Sequence, residues 1–123
     1  MIKNKDKNRP SIETAIVTNN MSEFEVFQNQ TLRPIIKMQH TLLLTYFDNY
    51  KSIQKFVFSN LTELEKNEFI HNSFKKDLHL RNQIIGIVIG QFTLEEYLEY
   101  KNVSKELNKR MIDMIKERII TSI

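Results

Sequence analysis

The 123-residue chain has no cysteine, two glycines and two prolines. Without cysteine there is no disulfide framework and no thiolate nucleophile, a composition that suits a reducing cytoplasm. All-β folds need turn residues at short intervals, so the scarcity of glycine and proline argues for long helices. The opening residues MIKNKDKNRP lack the apolar stretch of a secretory signal. The longest strongly apolar run, Ile84–Ile89, is interrupted by Gly86. It falls far short of the ~20 residues that a membrane helix requires.

A large excess of one charge is also missing. The formal net charge is +3, with hydrophobic residues at 41% and charged residues at 27%, the balance of an ordinary globular domain. Residues 1–21 carry Lys3, Lys5, Lys7 and Arg9 against Asp6 and Glu13, an excess of two positive charges. The rest of the chain is left with an excess of one. Its acids and bases interleave, as in KNVSKELNKRMIDMIKER, which reads as a solvated helix face with i,i+4 pairs. A nucleic-acid interface gathers Lys and Arg on one face, so this distribution argues against one in the body.

The organisation that follows is a basic tail, residues 1–21, and a helical domain, residues 22–123. The tail alternates polar clusters with one weakly apolar patch, Ile12–Val17, and reads as mobile with a short adhesive segment. The body opens on Ser22 and Glu25, a capping box in which each residue satisfies the other's backbone N–H. Phe24 and Phe27 give that short helix an apolar side. A first long helix is expected from about Leu32 to Ile53, with Pro34 tolerated in its first turn. Its wide stripe runs Leu32, Ile35, Ile36, Gln39, Leu42, Leu43, Tyr46, Phe47, Tyr50 and Ile53. Phe56, Val57 and Phe58 make a packed loop. Thr62 and Glu65 form a second capping box, before a helix to about Lys76 with Leu64, Phe69, Ile70 and Phe74 inward. Asp77 caps a helix from Leu78 to Gln91. Thr93 and Glu96 form a third box before the short helix LEEYLEYK. Ser104 caps the last helix, whose core stripe is Leu107, Met111, Met114, Ile115 and Ile119. The fold class is therefore all-α: a single compact bundle of about five helices behind a flexible N-terminal tail.

Both glycines, Gly86 and Gly90, fall inside NQIIGIVIGQF. The β-branched run could make a strand, but no second strand of similar quality exists to pair with it. A phosphate loop needs closer glycines followed by Lys-Ser or Lys-Thr. A helix fits best. It is apolar nearly all round and is expected to be the central helix, with another helix of the same chain, or a copy from a second chain, closing over the glycine face.

No catalytic pattern emerges. Glu68 and His71 form one E-x-x-H, whereas di-metal bundles use two, with further glutamates from other helices. His40 and His79 lack a matching ligand three residues earlier. Glu95 and Glu96 belong to a first helical turn, where acids favour the helix dipole. Asn82, Gln83 and Gln91 need structural hydrogen-bond partners if buried. No serine sits in a nucleophile motif. No catalytic, cofactor-binding or metal-binding residue is assigned, and no cofactor is expected.

The blocks TLRPIIKMQ, IIGIVIGQFTLEEY and NKRMIDMIKER resemble a family of small, uncharacterised, all-helical bacterial proteins over about residues 22–120. Some of those relatives bear the automatic label glyoxalase. Metal-dependent glyoxalases are similar to paired βαβββ units with His and Glu ligands on strands, and this chain shows no such strands. The resemblance implies that the three blocks matter to the fold or its partners, and it implies no reaction.

The function expected is a non-enzymatic, cytoplasmic helical module that binds a protein partner, a second copy of the chain included, with Gly86 and Gly90 as the packing or interaction residues. Two alternatives stand beside it: a nucleic-acid-associated protein using the basic tail, and a ligand-binding or enzymatic bundle with a pocket in its core.

Overall fold

The computed structural model describes residues 22–54 and 56–122. The expectations for residues 1–21 lie outside them. Among the described residues the chain is helical throughout, with no strand. The helices are α1 (Glu23–Phe27), α2 (Arg33–Met38), α3 (His40–Ser52), α4 (Glu63–Lys76), α5 (Leu78–Ile89), α6 (Leu94–Tyr100) and α7 (Ser104–Ser122).

Local chemistry sets the boundaries. All three capping boxes form as the sequence predicts. The N–H groups of Glu25, Glu65 and Glu96 each donate to the hydroxyl three residues earlier at 3.2 Å. Each glutamate carboxylate accepts the cap residue's own N–H. Asp77 caps α5 by accepting the Leu80 N–H at 3.1 Å. Ser104 is a correction. It is the first residue of α7, and the Val103 carbonyl takes the opening bond from the Leu107 N–H.

The first long helix is not a single piece. A π-turn spans Gln28–Leu32 between α1 and α2, and the Arg33 N–H bonds five residues back to the Gln28 carbonyl. Pro34 accounts for it. Its ring has no N–H to give and crowds the carbonyl four residues earlier, so the preceding turn widens. The path breaks again at Gln39, with φ −94° and ψ 14°. The result is a broken helical run from residue 23 to residue 52. Thr31, Leu32, Pro34, Ile35 and Ile36 are all buried, which makes this bend the most enclosed stretch of the chain.

The central helix is α7, and the expectation that α5 holds that place is corrected. Helix α7 packs on α4, α5 and the π-turn, burying Leu107, Met111, Ile112, Ile115 and Ile119. Its fully exposed positions over residues 105–117 are Lys105, Lys109, Asp113 and Glu117, one i,i+4 row. The interleaved charges beside it pair as Arg110–Glu106 at 2.8 Å and Lys116–Asp113 at 3.6 Å. Helix α5 buries only Leu80, Ile84, Ile85 and Val88, and its other side carries His79, Asn82, Gln83, Gly86 and Gly90 to the surface.

Aromatic side chains build both ends of the core. At one end Phe47 stacks on Phe74, centroids 5.8 Å apart and planes 8° from parallel. Tyr50, Phe69, Phe58 and Phe56 continue the cluster. At the other end Phe92 sits edge-on between Phe27 and Tyr100. Three stripe assignments fail: Leu42, Ile53 and Leu64 are 48%, 71% and 68% exposed. The packed loop holds through Phe58, half-buried in a short 3-10 turn, and through the edge-on contact of Phe56 with Phe69, although Phe56 and Val57 are largely exposed.

Candidate functional site

The polar groups are taken first, because a reaction would need them. Glu68 and His71 both face solvent on α4. Among the described residues no group of three His, Asp or Glu side chains comes together as a metal site. His40 Nδ1 lies 3.1 Å from Arg118 Nη1, tying α3 to the end of α7. The depression around that pair holds Arg33, Lys37, Asp113 and Glu117 as well, so it presents both signs of charge.

The polar side chains with shifted protonation are all held by structural bonds. Asp77 is kept below the usual carboxylate range first by the Leu80 N–H and then by the Tyr50 hydroxyl, which donates at 2.9 Å. Burial pushes Tyr50, Tyr46 and Tyr100 above the usual phenol range. The Tyr46 hydroxyl donates to Gln83, and the Tyr100 hydroxyl donates to Asn108 at 2.6 Å. Glu65 lies low because it accepts the backbone N–H of Thr62. Glu96 is occupied twice: one oxygen takes the Thr93 N–H at 2.8 Å and the other takes the buried Thr31 hydroxyl at 3.2 Å. That pair of bonds pins the start of α6 to the π-turn. Of the flanking amides, Gln83 therefore meets Tyr46, and Asn82 stands exposed.

The two glycines depart from expectation. Both are exposed, and a Cβ added at Gly86 would meet no atom within 4 Å beyond its own turns of helix. At Gly90 a Cβ would meet only backbone of its own turn, the Gly86 carbonyl oxygen at 3.3 Å and that of Ile87 at 3.6 Å. Among the described residues no helix covers this face. No described residue has positive φ, so backbone conformation does not demand glycine at either position.

The surface feature that composition did not reveal is on α6. Leu94, Tyr97 and Leu98 stand 53%, 43% and 47% exposed, while Tyr100 on the same helix is buried. Their i, i+3, i+4 spacing makes one contiguous apolar row. Exposed Glu95 and Glu99 flank it. At 100° per residue, Tyr100, Tyr97, Leu94 and Leu98 span an arc of about 160°, wider than one contact fills. That width was the available signal.

A groove of about 530 Å³ opens between α1, the π-turn and the α6–α7 connection. Phe24, Val26, Phe27, Val103 and Leu107 supply its apolar lining, and Glu23 and Glu99 its charges. No helix among the described residues is long and apolar enough to cross a membrane.

Comparison with family models, with curated proteins and with solved structures finds no match for this chain.

Proposed function

We infer that the protein is a non-catalytic helical module that binds a protein partner through the exposed row on α6. The observation that carries this reading is the row itself: three large apolar side chains held in water, side by side, on a helix fixed at its start by Thr93, Glu96 and Thr31. Single exposed leucines are ordinary, whereas a contiguous patch on a rigid element marks a contact surface. The flanking Glu95 and Glu99 select the partner's chemistry, an apolar helix face bordered by Lys or Arg. A second copy laid on this row in register would set those acids against their own equivalents, which favours a different protein over self-association here.

The test compares affinity capture from the native host by the wild type, by Leu98→Glu and by Leu64→Glu. Leu64 is an exposed leucine on α4, away from the row. Both variants are expected to keep the wild-type circular dichroism. Proteins held by wild type and Leu64→Glu should be lost from Leu98→Glu. Capture that survives Leu98→Glu sinks the reading.

A further inference from the structure

We propose that the groove beside α1 is the docking site of this chain's own N-terminal segment, with the apolar residues Ile12, Ile16 and Val17 entering it and the preceding bases lying along its acidic rim. Three observations meet here. The groove is apolar inside, through Phe24, Val26, Phe27, Val103 and Leu107. Its charged lining consists of Glu23 and Glu99, with no Lys, Arg or His among the described residues that form it. Phe24 also borders a neighbouring depression that holds Lys105, Glu106 and Lys109, so the purely acidic lining does not extend into that depression.

The complementary sequence enters the body at this place. Residues 1–21 carry two net positive charges, with Lys3, Lys5, Lys7 and Arg9 all preceding the patch at Ile12–Val17. Ser22 caps α1, and Glu23 and Phe24 are groove residues themselves. Ile16 is six residues before Ser22, a reach of about 20 Å of extended chain. A tether that short holds the segment near its groove at an effective concentration on the order of millimolar. A weak apolar contact then suffices, where a free peptide of the same sequence would need far more contact area. This surface shares Glu99 with the border of the α6 row but none of Leu94, Tyr97 and Leu98, so the capture test at Leu98 and the cysteine pairs at Val103 and Asn102 fail independently.

The absence of native cysteine makes the test direct. In the full chain, Ile16→Cys is combined with Val103→Cys, an exposed groove residue. A control combines Ile16→Cys with Ser59→Cys, an exposed residue in the 3-10 turn. Under mild oxidation the groove pair is expected to close a disulfide within one chain at least tenfold faster than the control. Exchanging Glu23→Gln and Glu99→Gln in the groove pair should slow closure several-fold at low salt. A second pair, Ile12→Cys with Asn102→Cys, repeats the measurement should Val103→Cys disturb the fold. Closure no faster than the control overturns the proposal. Disulfides formed chiefly between chains also overturn it and assign the groove to the segment of a second copy. A rate indifferent to the two glutamates removes the charge argument and the proposal with it.

Discussion

Gly86→Ala is the substitution on which the reading of α5 turns. Glycine in a helix interior costs about 0.5–1 kcal/mol relative to alanine, because the unfolded chain loses more freedom there. The cost is tolerable where a neighbour needs the space of the missing Cβ. At Gly86 none does: the added carbon would meet no atom within 4 Å beyond its own turns of helix, and the residue is exposed. The full propensity gain should therefore appear, about 0.5–1 kcal/mol. For a body of roughly 100 residues that raises Tm by about 2–5 °C. Urea unfolding followed by circular dichroism should move its midpoint upward with an unchanged slope. Gly90→Ala is the internal comparison. Gly90 caps the end of α5 rather than lying inside it, so the helix-propensity gain there should be smaller than at Gly86. Gly86→Leu should be tolerated as well, whereas overpacking beneath a covering helix would cost about 1–3 kcal/mol. A fall in stability of 1 kcal/mol or more for Gly86→Ala, at unchanged mass by light scattering, would refute the open face. A fall accompanied by halved mass would show that a second chain covers it.

Two further outcomes test the core and its caps. Asp77 is held low in the folded state, so its contribution is present above the ordinary carboxylate range and is lost as pH falls through its own lower value. The stability gap between wild type and Asp77→Asn should stay constant above about pH 5 and narrow below about pH 4 in urea titrations, and a gap that widens toward acid contradicts this. Phe74→Ala removes a ring stacked on Phe47 at a fully buried site and should cost about 3–5 kcal/mol by chemical unfolding, with exposed Leu64→Ala within about 0.5 kcal/mol of wild type.

The helix starts were legible in the sequence because capping is local chemistry. A hydroxyl and a carboxylate three residues apart find the same two N–H groups whatever the rest of the chain does, as at Thr62 and Glu65. The core stripe of α7 was legible as well, since Leu107, Met111, Ile115 and Ile119 repeat at helical spacing and all are buried. Hydrophobicity alone misplaced the centre. Helix α5 is richer in Ile and Val than α7, yet α7 is enclosed because it is long enough, over 19 residues, to lie against three other elements. Its most exposed charges form a single row, which averages out of any composition. The π-turn was hidden because Pro34 is equally compatible with a plain helix start. Which answer it takes depends on residues 23–27 already being helical upstream. The α6 row was hidden for a related reason: an apolar residue reads as core until a neighbour fails to arrive.

The position of α7 in the chain has a consequence for synthesis. Helices α2, α4 and α5 all leave the ribosome before it, at roughly 5–20 residues per second. Until residues 104–122 follow, α4, α5 and the π-turn lack the helix they pack against. Helices α1, α4, α5 and α6 each carry their own side-chain cap, but none has a finished core to settle against. The faces of α4 and α5 that meet α7 are therefore without their partner for the seconds that synthesis of residues 104–122 takes.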